Sequence, residues 1–110
     1  QNKMDQLKPF KLPKALVNFL EGNQLYFELP DSDFISIEFF PLIDTIPFKV
    51  GRRNLLRLSK ELGEYNDWQI VWDPKNKKIG CYDIEHQELR ELCKFDEFMA
   101  DMSGQLESLF

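Results

Sequence analysis

At 110 residues, with 43% hydrophobic and 30% charged side chains, the chain is sized for one domain, residues 1 to 110, around a single core. Nineteen Asp and Glu against fourteen Lys and Arg give a net charge of -5, which argues against nucleic-acid binding, because grip on a phosphate backbone comes from clustered Lys and Arg. No apolar run approaches the roughly 20 residues that cross a bilayer, and the N-terminus lacks the basic, apolar, small-residue order of a secretory leader, so a soluble protein without membrane association is expected.

In chain order, KLPKALVNFLEGN (11 to 23) reads as a helix near residues 13 to 21. Pro13 suits its first position, Leu16, Val17 and Leu20 form one apolar stripe, and Gly22 with Asn23 supplies a stop. Residues 24 to 42 change to a period of two: Ile35, Ile37 and Phe39 alternate with Ser36 and Glu38, after a turn at Asp31-Ser32-Asp33. Pro41 and Pro47 bracket LIDTI, which reads as an ordered connection because each proline lacks an N–H to donate to a sheet. Residues 52 to 62 read as a second helix, with Leu55, Leu58 and Leu62 on one side and Gly63 as its stop. Arg52, Arg53, Arg57 and Lys60 would cluster on it, either as a partner or phosphate patch or as ordinary solvated charge.

Two strands with a Lys-rich turn follow: Trp68, Ile70 and Trp72 alternate with Gln69, Val71 and Asp73, and the chain returns from Ile79 to Ile84 after PKNKK. Asp73 and Asp83 then read as strand-end acids that accept bonds from nearby backbone N–H groups. Residues 88 to 93 are ambiguous, because Leu89, Leu92, Phe95, Met99, Met102, Leu106 and Leu109 keep helical steps, while Asp96 and Glu97 mark a helix start near residue 95.

Motif chemistry is sparse. There is no GxGxxG, P-loop or HExxH, and the one histidine, His86, falls in an expected turn with no nucleophile context. Cys81 and Cys93 lack the company of further zinc ligands and read as small buried hydrophobes, so neither metal nor cofactor is expected. Carboxylates at 31, 33, 38, 44, 73, 83 and 85 offer material for acid-base work, but their spacing singles out no pair. An aromatic content of 14% supplies either a second core layer or exposed anchors, with Tyr26, Phe34, Tyr65 and Tyr82 as the residues whose parity could face outward.

Four motifs in order resemble the SUKH (Smi/Knr-like) superfamily, which includes bacterial immunity proteins and fungal cell-wall regulators: LPKALVNFLEGN (12 to 23), IEFFPLIDTI (37 to 46), GEYNDWQIVWDPKNKKIGCYDIEHQEL (63 to 89) and KFDEFMADM (94 to 102). The chain departs from that pattern in the order of Gly22 and Asn23, in Lys94 where a Ser cap is usual, and in a first helix reduced to residues 1 to 10 or missing. The resemblance implies an α+β fold, a twisted mainly antiparallel sheet flanked by helices, with 88 to 93 as a strand and a closing helix over 95 to 108. It also implies a noncatalytic protein-binding role in the bacterial cytoplasm, as an immunity protein against a cognate toxin, many such toxins being nucleases. A regulatory adaptor of the same fold and a small hydrolase using clustered carboxylates are the competing readings. An acidic chain suits a basic toxin partner. The expected partner-binding residues are Asp31, Asp33, Glu38 and Asp44, with Tyr65 as an aromatic anchor.

Overall fold

The computed structural model describes residues 3–30, 35–62 and 67–109 and has an α+β fold. Helix α1 (Lys3–Leu7) runs into a 3-10 turn at Lys8–Phe10, and α2 spans Lys14–Leu20. Strands β1 (Tyr26–Leu29) and β2 (Ile35–Glu38) pair antiparallel. After a 3-10 turn at Leu42–Asp44, β3 (Ile46–Val50), β4 (Arg53–Arg57), β5 (Trp68–Asp73), β6 (Lys78–Asp83) and β7 (Glu88–Cys93) form a five-stranded antiparallel sheet in chain order. Helices α3 (Phe95–Ala100) and α4 (Met102–Glu107) close the chain.

Three expectations meet their outcome here. The helix at 13 to 21 forms as α2, with Pro13 just before its first turn and Leu16 and Leu20 fully buried. Residues 88 to 93 are a strand, against their helical spacing, because Glu88 to Cys93 complete the ladder of β6. The helix expected over 52 to 62 does not exist: Arg53–Arg57 is β4, joined to β3 by a two-residue turn in which Gly51 takes φ 62°. Glycine at the first turn position with positive φ is the pattern of a tight hairpin. The leucine spacing misled because β4 is covered on both faces, so Leu55 and Leu56 are buried together and period two is erased.

The closing helix is also corrected. Asp101 leaves helical geometry (φ -155°, ψ 65°), splits residues 95 to 107 into α3 and α4, and accepts a bond from the Gly104 N–H at 3.1 Å. A Cβ on Gly104 would run into the Asp101 carboxylate. The start of α3 lies where Asp96 and Glu97 placed it, with the Lys94 N–H donating to Glu97 Oε1 at 3.1 Å.

The two sheets are stitched together along residues 58 to 60. Phe39 bridges Ser59, the Phe40 N–H donates to the Leu58 carbonyl at 2.7 Å, and the Lys60 N–H donates to the Glu38 carbonyl at 2.9 Å. On the other side, the Leu58 N–H donates to Ile70. The chain from β2 to β3 therefore flanks one continuous strand twice, before and after an excursion at Pro41 to Thr45. That excursion is the expected Pro-bracketed connection. Pro47 does enter a strand, but β3 is an edge, where a missing N–H is tolerated.

One face of the sheet packs Leu56, Leu58, Ile70, Trp72, Ile79 and Cys81 against Leu16, Leu20 and Phe98. Phe19, Phe27, Phe39, Phe95 and Phe98 join this core as a chain of ring contacts, with centroids 5.0 to 6.4 Å apart. Much of the aromatic content is therefore core. The other face carries its own cover: Tyr82 meets Phe48 edge-on at 4.9 Å, and the Arg57 guanidinium lies 4.4 Å over the Phe48 ring. The buried Trp72 indole N–H donates to the Phe10 carbonyl at 2.8 Å, tying the N-terminal segment to the central strand.

Two hairpins repeat one device. Asp73 Oδ1 accepts the Lys75 N–H at 3.0 Å and Asp83 Oδ1 accepts the His86 N–H at 3.1 Å. Four residues beyond each acid, Lys77 (φ 55°) and Gln87 (φ 54°) take left-handed backbone. A non-glycine residue there costs about 1–2 kcal/mol, partly offset by the entropy that glycine loses. Lys77→Gly should therefore raise stability by about 1 kcal/mol in chemical denaturation. Trp72→Phe should lower it by about 3 kcal/mol, since it strands a buried carbonyl and leaves a void.

Candidate functional site

The excursion between Pro41 and Thr45 builds one wall of a largely apolar concavity. Pro41 is extended (φ -56°, ψ 154°) and the next three residues make one 3-10 turn, which sends Leu42 inward and Ile43 outward. Ile43 is 72% exposed. The turn is held from within, as Thr45 Oγ1 donates to the Leu42 carbonyl at 2.8 Å, and from outside, as the Lys3 ammonium donates to the Thr45 carbonyl. Opposite it stand Met4 of α1, 50% exposed, and Leu20, Glu21, Gly22 and Leu25 at and beyond the end of α2. These walls enclose a groove of about 630 Å³.

Its charged edge is mainly acidic. Glu21 lines it and Asp44 follows Ile43 in the same turn, whereas Lys3, the cation at the rim, already serves Thr45. An apolar floor with a few charges at its margin suits a partner side chain that buries carbon and keeps its own cations at the rim.

The expected binding residues divide. Asp31, Asp33 and Tyr65 lie outside the described residues. Asp44 is exposed beside the groove. Glu38, exposed on β2, is paired with Lys60 at 3.1 Å and does not line the groove. Sequence reasoning missed Met4, Leu20, Leu25 and Ile43, although an isoleucine in a Pro-bracketed connection was an available signal. Of the aromatics weighed as anchors, Tyr26 is 55% exposed and Tyr82 is buried; Phe34 is outside the described residues.

Two turns carry charge clusters. Asp73, 1% exposed, binds Arg53, and Glu91 stands 3.6 Å from the same guanidinium. The basic cluster expected on a helix is thus spread along β4 and its flanks: Arg52 in the preceding turn, Arg53 in this network, Arg57 on Phe48, and Lys60 beyond the strand with Glu38. Asp83 Oδ2 lies 2.8 Å from His86 Nδ1. Burial would raise the Asp83 pKa, but hydrogen bonds from the His86 backbone and ring, with the ring's charge, outweigh it and hold the carboxyl below its usual range. The same bond raises His86. Burial pushes both cysteine thiols up, so neither is poised as a nucleophile. No group of three or more His, Cys, Asp or Glu side chains gathers for a metal among the described residues, and no helix there is long and apolar enough to cross a membrane.

Comparison of the chain with family models, curated proteins and solved structures found no match.

The Asp83–His86 pair sets a pH window. A lowered carboxyl contributes stability above its ordinary value near 3.8, lost as pH falls through its folded value. A raised imidazole contributes below its ordinary value near 6.5, lost as pH rises through its folded value. Thermal melts of wild type and His86→Ala should therefore differ most at about pH 4–6.5 and converge above it as the imidazole deprotonates.

Proposed function

We propose that the chain is a noncatalytic protein-binding module of the SUKH type, acting in the bacterial cytoplasm as an immunity protein that neutralises a basic toxin domain. The observation that carries this reading is the groove with Ile43 and Met4 presented on its walls and acids beside it. Large apolar side chains so exposed cost solvation unless a partner covers them, and acidic margins speed docking of a basic surface. The ordered motifs shared with the superfamily support it further. A toxin domain that grips phosphate presents such a basic surface, and an acidic protein in its cleft blocks the reaction without performing one.

On this reading Ile43 and Met4 are the apolar anchors and Asp44 the steering charge, with Asp31, Asp33, Glu38 and Tyr65 extending the contact. Clustered-carboxylate hydrolysis has less to rest on, since Glu38 is engaged by Lys60 and Asp73 and Asp83 serve their turns.

The reading predicts a toxin gene immediately beside this one and a one-to-one complex of the two products. Ile43→Asp should weaken that complex by about 10–100-fold in titration calorimetry, the loss expected for an apolar anchor. Asp44→Lys should slow association and reduce its salt dependence. Wild-type affinity in both variants would remove the groove as the interface; a cellular partner with no toxin neighbour would favour the adaptor reading.

A further inference from the structure

At the other end of the five-stranded sheet the charge is reversed. The 3-10 turn Lys8–Phe10 with Lys11, the β3–β4 turn and the start of β4, and the β5–β6 turn surround an open cleft of about 370 Å³. Four cations line it: Lys11, Arg52, Arg53 and Lys75, beside Asn54. Two carboxylates answer them, the buried Asp73 and, at 3.6 Å from Arg53, Glu91. In a chain of net charge -5 this leaves a local excess of positive charge.

Neither oxygen of Asp73 is spare. Oδ1 takes the Lys75 N–H and Oδ2 takes Arg53, so the carboxylate fixes one guanidinium and one turn in place. The side chains of Arg52, Lys75 and Lys11 have no ion pair in the described structure. Pro9 and Pro74 stiffen the two turns. The bond from Trp72 to the Phe10 carbonyl fixes the wall that carries Lys11. Cations thus come from three separate elements, and rigid backbone with a buried counter-ion sets their spacing.

From this arrangement we infer that the cleft binds a small phosphate-bearing anion, in the class of a diphosphate or the phosphate chain of a nucleotide. A single carboxylate offers two oxygens and one charge, which one guanidinium saturates. A diphosphate offers several oxygens and at least two charges, matching donors that approach from three directions. The volume falls within the range of small-ligand sites. The site is independent of the groove and of the partner proposed for it.

Pyrophosphate is the probe, added to the full chain at low ionic strength. It should bind with a dissociation constant below about 1 mM in titration calorimetry and raise the melting temperature. Affinity should fall by about tenfold or more between about 50 and 200 mM salt. The double variant Arg52→Gln/Lys75→Gln changes two exposed side chains; it should melt as wild type without ligand and lose about tenfold or more in affinity. Lys11→Gly, which keeps the left-handed backbone, should weaken binding too, whereas Lys94→Ala, just before α3 and outside the cleft, should not. No binding at about 10 mM pyrophosphate, or equal binding by the double variant, would overturn the assignment. So would a short single-stranded oligonucleotide binding where pyrophosphate does not, since that marks an extended nucleic-acid surface.

Discussion

One hydrogen bond, from the Trp72 indole to the Phe10 carbonyl, joins positions 62 residues apart and fixes where the N-terminal segment lies. The indole is buried in the central strand, so its N–H must find an acceptor within the protein, and a carbonyl in a turn with few bonds of its own provides it. Segment 3–11 is one short helix and a 3-10 turn, too short to hold a course by itself, and this bond acts together with the burial of Leu7 and Phe10 to fix it. With it, Lys3 and Met4 wall the apolar groove while Pro9 and Lys11 wall the basic cleft. A bond that touches neither concavity thus helps to place a wall of each.

The register of β3 on β4 separates the two. Ile46 faces Arg57 and Val50 faces Arg53, so the Pro41–Thr45 excursion leads into one end of this hairpin and the cleft surrounds the other. Acids sit beside the first end and, among the described residues, an excess of cations at the second. A net charge of -5 conceals this division, because a sum over residues carries no position. The acidic excess argued against nucleic acid at the level of the whole chain, yet it coexists with a local field of the opposite sign.

What the sequence disclosed follows from how many faces each element shows to water. α2 and β2 each have one wet side, and their apolar spacing declared them correctly: Leu16 and Leu20 in one, Ile37 followed by Phe39 in the other. β5 is buried on both sides yet keeps a readable alternation through Trp68, Ile70 and Trp72, whereas in β4 the signal of period two vanishes and leucines at 55, 58 and 62 happen to keep a helical step. The competing sign was local and stronger, since Gly51 between FKV and RNLL marks a hairpin turn. For 88 to 93, periodicity points to helix, and pairing with β6 makes the segment a strand. At the candidate sites, Asp44 was legible as an exposed acid, but the groove was not, because Met4 and Ile43 come together only through tertiary packing. Arg53 and Asp73 likewise meet across strands twenty residues apart.

Pro47 has a consequence beyond its own hairpin. β3 borders the sheet, and a row of free donors and acceptors along such a border invites a strand from another molecule to add on. Here the row is broken by an imino acid, charged by Lys49 and cut short by the excursion that precedes it. That border is therefore a poor template for an added strand, and the backbone along β3 is not itself adhesive.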